Sequence, residues 1–221
     1  MRIPDGFIPW TQCIIYYIIL IVAVYFSIKL AKKHLSEERA GHVMLFVAGI
    51  LVILSINIPL PFGTTAHIIA HIIGGCLVAI VFGTPVVATL VFAAALLIQA
   101  FVFGNGGLTV LGIDVLNMGI IGGIVGLYTF NSLTNKIGKY QAIGLAAWFA
   151  SVVSAIAATV EIAIAGTLSI ELGLYSMVLS YLFIGIIEAA LTVAIIMALE
   201  KYTPDLLVWN RKSQSEEINA I

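Results

Sequence analysis

Thr11-Gln-Cys-Ile-Ile-Tyr-Tyr-Ile-Ile-Leu-Ile-Val-Ala-Val-Tyr-Phe-Ser-Ile-Lys29-Leu30 runs twenty residues with a single charge, and that charge sits at its end. A helix needs about 20 predominantly apolar residues to cross the hydrocarbon core of a bilayer. Six further stretches read the same way: Val43–Ile56, Ala66–Phe82, Pro85–Phe103, Ile113–Phe130, Ala142–Ile164 and Ser176–Leu199. The second is short for a full span, and Pro59 and Pro61 close it. Pro85 suits the first turn of its helix, where the missing amide is harmless. The expectation is an all-α integral membrane protein with seven transmembrane helices: residues 1–200 as one polytopic domain and 201–221 as a polar cytoplasmic tail, frayed from Tyr202 onward.

Composition agrees with that class. Of the 221 residues, 62% are hydrophobic and 10% charged, against roughly 45–50% and 25% in soluble domains. The partner implied by such a surface is a lipid bilayer. Nucleic acid is excluded, because the 10 Lys and Arg residues form no stripe interleaved with aromatics. Cys13 and Cys76 both lie in apolar runs and read as small buried packers. Arg2 is followed by Pro4, Asp5, Gly6 and Pro9, a short structured arm rather than a cleavable secretory leader. His-Glu-x-x-His, Gly-x-Ser-x-Gly and phosphate-loop signatures are missing, so no enzyme is expected, and ATP-driven work falls to a partner.

Basic residues set the orientation. Lys29, Lys32, Lys33 and Arg39 fall between the first and second spans, and Lys136 and Lys139 between the fifth and sixth. Lys201, Arg211 and Lys212 follow the seventh. With seven spans all three groups share one side, the cytoplasmic one, and only Arg2 falls outside. The same count puts Met1–Pro9, Ile58–Thr65, Gly104–Gly112 and Ala165–Tyr175 on the outer face. The N-terminus is then outside, inserted toward the core, and the C-terminus is cytoplasmic. Irregular backbone at membrane depth survives only where protein buries it or where it lines a cavity. An outward-facing pocket follows.

Two histidines stand at its mouth, in Asn57-Ile-Pro-Leu-Pro-Phe-Gly-Thr-Thr-Ala-His67-Ile-Ile-Ala-His71. On a helix, His67 and His71 project from one face. Imidazole is the commonest transition-metal side-chain ligand; alternatively the pair caps helix ends or bonds internally beneath a loop. His34 and His42 are expected to be solvated in the charged cytoplasmic loop.

The chain's first nitrogen is a second candidate. A fair fraction of an α-amine is deprotonated at neutral pH. With the next backbone nitrogen it closes a five-membered chelate, a square-planar arrangement suited to Ni(II) or Cu(II). Ile3-Pro-Asp-Gly-Phe-Ile-Pro9 has the look of an ordered hydrophobic turn able to tuck inward. A third segment, Gln99 to Met118, carries Gln99, Asn105, Asp114 and Asn117, which can satisfy a buried glycine-rich loop or serve as plain caps. Glu161 and Glu188 are intramembrane acids, either packing partners or an ion route.

Taken together, Met1-Arg-Ile-Pro-Asp-Gly-Phe, the Asn57-to-His67 stretch, Phe103-Gly-Asn-Gly-Gly-Leu-Thr-Val-Leu-Gly with Asn117-Met, and Ile187-Glu-Ala resemble the CbiM/NikM family. The likeness runs, in order, from residue 1 to about residue 200. Members of that family are the substrate-binding (S) components of energy-coupling-factor (ECF) transporters for cobalt or nickel.

The resemblance implies a seven-helix fold whose amino terminus threads into the core. It also implies a nitrogen square made by the terminal amine, the second residue's amide and imidazole, and a loop histidine. Carried over, Met1 supplies the amine, Arg2 its amide, and His67 the loop-side imidazole. Asn57, Thr64, Thr65, Gln99, Asn105, Asp114 and Asn117 would surround them. Implied partners are a transmembrane coupling (T) component, a pair of cytoplasmic ATPases and a small extra membrane subunit. No cofactor is implied; Co2+ or Ni2+ is the transported substrate, serving cobalamin biosynthesis or nickel enzymes.

Two departures matter. Arg2 replaces the family's histidine, and a guanidinium stays protonated and cannot ligate. Counting from Asn57 aligns His67 with the family histidine, whereas counting back from Phe82-Gly-Thr-Pro85 aligns His71. Either His71 supplies the nitrogen that Arg2 cannot, or Arg2 has abolished metal binding or turned the site toward a non-metal, anionic substrate. A stand-alone secondary transporter using Glu161 and Glu188, and a haem-ligating electron carrier, are the readings from other classes.

Overall fold

The computed structural model describes residues 3–34, 37–56, 58, 70–104 and 106–208. Met1, Arg2, Asn57, Thr64, Thr65, His67, Asn105, Pro59, Pro61 and the tail from residue 209 lie outside the described residues.

Without water at membrane depth, a helix is the cheapest way for an apolar chain to satisfy its own backbone. The long runs accordingly form α1 (Trp10–His34), α4 (Pro85–Val102), α5 (Leu111–Ile137), α6 (Lys139–Ile164) and α7 (Ile170–Tyr202). Among the described residues, these five are long and apolar enough to span a membrane. The two remaining candidates are shorter: α2 (Glu37–Leu54) has an apolar part of Ala40–Leu54, and α3 (Gly75–Phe82) has only two turns. The protein is a multi-pass, helical membrane protein.

Several ends follow local chemistry. Thr84 accepts a hydrogen bond from the Val86 amide (3.3 Å) and Pro85 opens α4, as its sequence position predicts. Other boundaries move. Helices α5 and α7 extend past the predicted Ile113–Phe130 and Ser176–Leu199, and each contains a wide π stretch, Leu116–Ile121 and Leu174–Val178. Such stretches concentrate near functional sites.

His42 does not lie in the expected solvated loop. His34 ends α1, and His42 lies inside α2, half-buried, with Nδ1 shielded from solvent. Nor is the chain frayed from Tyr202. A 3-10 turn at Pro204–Leu206 returns it to the bundle, where Leu206 and Leu207 are buried and Val208 reaches the Gly83 turn.

The largest correction concerns the third predicted span. Instead of a helix over Ala66–Phe82, residues 71–74 are non-helical, Ala70 makes a bridge with Ile58, and α3 starts only at Gly75. The reason is tertiary: acceptors from elsewhere in the bundle take the amides that a helix would have paired internally. His71 is therefore not on a helical face, and His67, expected to share one with it, lies outside the described residues.

Helix α3 is the centre of the protein. All eight of its residues are buried, and it packs on α4 and α5 and touches α6 and α7. Small residues make this approach possible, as in membrane helix pairs generally. A Cβ on Gly75 would lie 2.0 Å from the Met118 carbonyl oxygen, and one on Gly126 would lie 2.5 Å from Cys76 Sγ. Cys76 and Cys13 are both buried free thiols, as their apolar surroundings predict. Around this core, α1 and α2 lie against α4, while α5, α6 and α7 pack in succession.

Candidate functional site

The arm before α1 is folded, not free. Phe7 closes a turn onto the Pro4 carbonyl (3.3 Å), and Ile3 and Ile8 are buried. Asp5 accepts the amides of Leu108 (3.2 Å) and Thr109 (2.9 Å) and the Thr109 hydroxyl. Tyr17 donates to the Leu108 carbonyl and Thr167 to the Phe7 carbonyl. Three of the four regions assigned to one face therefore meet at one end of the bundle: the arm, the glycine-rich loop before α5 and the turn before α7. Gly107 allows this approach, since a Cβ there would sit 2.5 Å from Asp5 Oδ1.

Inward of that knot the arm meets polar groups. The Ile3 amide donates to Asp114 Oδ1 (3.4 Å) in the first turn of α5. One turn on, Asn117 donates through Nδ2 to Glu161 Oε2 on α6 (2.6 Å). Gln12 of α1 reaches the Glu161 carbonyl (2.9 Å), and Ser154 donates to the Asn117 carbonyl (2.8 Å) inside the π stretch. Asp114, Asn117 and Glu161 are all buried. Asn117 Oδ1 is also buried and has no partner among the described residues.

His71 lies in the same core, against α7. It is 0% exposed, and both its main-chain groups meet one side chain: its amide donates to the Tyr181 oxygen (3.2 Å), and the Tyr181 hydroxyl donates to its carbonyl (3.0 Å). Beyond Ile72, two amides go to Glu188, with Ile73 donating to Oε2 (3.0 Å) and Gly74 to Oε1 (2.8 Å). Ser151 donates to Oε2 as well (2.7 Å). The first amides of any helix lack internal acceptors, and the helix dipole there favours an anion. Glu188 lies at that end, accepting the two amides, Ile73 and Gly74, that immediately precede α3. Gly74 makes the turn possible, because its φ of 70° lies in the left-handed region that glycine adopts without penalty.

Of the predicted residues, Asp114 and Asn117 are brought together beside the arm. Gln99 is not part of that group; its Nε2 donates to the Leu51 carbonyl (3.2 Å) and Ser55 Oγ (3.4 Å), holding the end of α2. Of the readings open for Glu161 and Glu188, both acids make packing contacts rather than standing unpartnered. Among the described residues, no group of three or more His, Cys, Asp and Glu side chains forms a metal cluster. Sequence reasoning did not single out Tyr181, Ser151, Ser154 or Gln12. The available signal was polarity inside lipid-depth helices, with Tyr181 and Glu188 two turns apart on α7.

The chain as a whole is similar to known proteins in sequence and in fold. Residues 2–206 match the family described as CbiM, cobalt uptake substrate-specific transmembrane region. A Methanocaldococcus jannaschii protein with a provisional metal-transport name is 32% identical over 228 residues, covering both chains completely. The fused nickel transport protein NikMN of Rhodobacter capsulatus is 29% identical across 98% of this chain and 67% of its own. The crystal structure of a truncated transition metal transporter superposes with a TM-score of 0.83 at 25% identity, over 91% of this chain and 99% of that one. With the family match running from the buried arm to the end of α7, the chain belongs to the CbiM family.

Proposed function

We propose that this protein is the substrate-binding membrane component of an ECF-type transporter taking up a divalent transition metal, cobalt or nickel. The observation that carries the reading, given the family, is the complete burial of Ile3 with its amide on Asp114. The arm is thereby held against the bundle's interior from Ile3, the first described residue. In this reading the Met1 amine, the Arg2 amide and the imidazoles of His67 and His71 bind the ion. Asp114 and Asn117 hold the arm that delivers the first two. Four neutral or deprotonated nitrogens suit Ni(II) or Co(II) better than hard, oxygen-seeking cations.

Capture would occur at the face carrying the arm, with seven spans and a cytoplasmic C-terminus. Release to the other side would follow reorientation driven by a pair of ATPases through a coupling membrane protein, with a small extra subunit assisting. The metal would supply cobalamin biosynthesis or nickel enzymes. The hydrogen-bond partners that Glu161 and Glu188 have within the bundle support this reading over a stand-alone secondary transporter. A ligand loop already fixed before binding loses less entropy on binding.

Isothermal titration of the purified, folded protein with Ni(II) and Co(II) tests the proposal. Saturable heat with one of them, abolished by acetylating the amino terminus, is expected. A folded sample giving no heat with either ion would refute it, and heat with an anionic solute instead would support the alternative founded on Arg2.

A further inference from the structure

Tyr181 and Glu188 lie seven residues apart on α7, two helical turns, so they face the same side. Both are 0% exposed, and both direct their polar ends at the same four-residue stretch, 71–74. The Tyr181 hydroxyl holds the amide and the carbonyl of His71 together. The Glu188 carboxylate holds the amides of Ile73 and Gly74 and is itself held by Ser151 on α6. The stretch belongs to no helix. Its main chain is therefore shaped by α7, 110 or more residues away in sequence.

Side-chain direction follows from the main chain that carries it. We infer that Tyr181 and Glu188 are positioning residues for substrate binding, setting the location of the His71 imidazole by clamping the backbone from which it projects. The inference rests on the reading of His71 as a metal ligand. Neither residue touches the ion. Groups that orient a ligand without ligating typically change metal affinity about 10–100-fold when removed. Tyrosine is well matched to the task, because a single hydroxyl can donate and accept at once.

The experiment uses the full chain, purified, with Ni(II) and Co(II) as probes. Tyr181→Phe deletes both contacts to His71 and preserves the ring. A folded Tyr181→Phe protein should bind about 10–100-fold more weakly, and the ligand-field absorption of bound Ni(II) should shift, which a purely structural lesion would not cause. Glu188→Gln keeps one acceptor oxygen and should give a smaller change in the same direction; it decides the matter if Tyr181→Phe does not fold. Tyr140→Phe, on α6 beside Glu200, should match the unmodified protein in affinity and spectrum.

Unchanged affinity and spectrum in Tyr181→Phe and Glu188→Gln, with binding abolished in His71→Ala, would overturn the inference and leave the metal reading standing. Absence of binding by the unmodified protein would overturn both.

Discussion

The Ile3 amide donates to Asp114 Oδ1 across 111 residues of sequence, joining the arm before the first helix to the first turn of α5. Asp114→Ala would leave that amide buried without its acceptor, a loss of about 1–3 kcal/mol for an unsatisfied group. Thermal or denaturant unfolding in detergent measures it. Stability equal to that of the unmodified protein would show that the arm is not anchored there.

Asp5→Ala removes the acceptor shared by Leu108 and Thr109. Asp5 is exposed, so water replaces it in part, and the loss should be only about 0.5–1.5 kcal/mol. Limited proteolysis gives the sharper readout. Cleavage within residues 3–9 should accelerate several-fold while the helices stay protected.

Gly75→Ala tests the centre of the bundle. The new methyl would stand 2.0 Å from the Met118 carbonyl oxygen, which belongs to backbone and cannot rotate away. Overpacking usually costs about 1–3 kcal/mol, and a clash with backbone should reach at least the upper end. The expected result is poor yield of monodisperse protein, or a clearly lower unfolding midpoint. A variant as stable as the parent would disprove the close contact between α3 and α5.

Asn117→Ala takes the amide donor from the buried Glu161 carboxylate. Leaving a buried polar group without its partner costs about 1–3 kcal/mol. Because the two side chains touch, the loss should shrink markedly when measured in a Glu161→Ala background. A double-mutant cycle reports that coupling, and additive losses would contradict it.

Lys139→Met addresses the far end of the bundle, where Lys139 pairs with Glu200 and Tyr140 donates to the same carboxylate (2.6 Å). The lysine is 38% exposed, and surface pairs contribute about 0–1 kcal/mol. Unfolding should be nearly unchanged, and a loss well above that range would mark a structural network there.

Much of this was readable in the residues. The apolar length of Thr11–Leu30, with its one charge at the end, demanded a spanning helix, Thr84-Pro85 announced the start of α4, and the apolar turn of Ile3–Pro9 indicated an arm that tucks inward. The family likeness was carried by the arm, the histidine stretch and the Asn117-Met motif. Glu188 also appeared as an intramembrane acid, but not as the acceptor for residues 73 and 74. His42 was misplaced because a run of charges looks like a loop even when it continues a helix. The π stretches had no local signature; the Asn117 carbonyl simply has Ser154 available as an added donor.

Class, helical content and the inward arm belonged to the sequence by itself, because lipid forces each apolar segment to pair its backbone internally with its own near neighbours. The unwinding of residues 71–74 and the burial of His71 were decided only by the tertiary structure. Such a stretch gives up its local hydrogen bonds only when distant groups replace them. Here those groups are one tyrosine and one glutamate on the last helix.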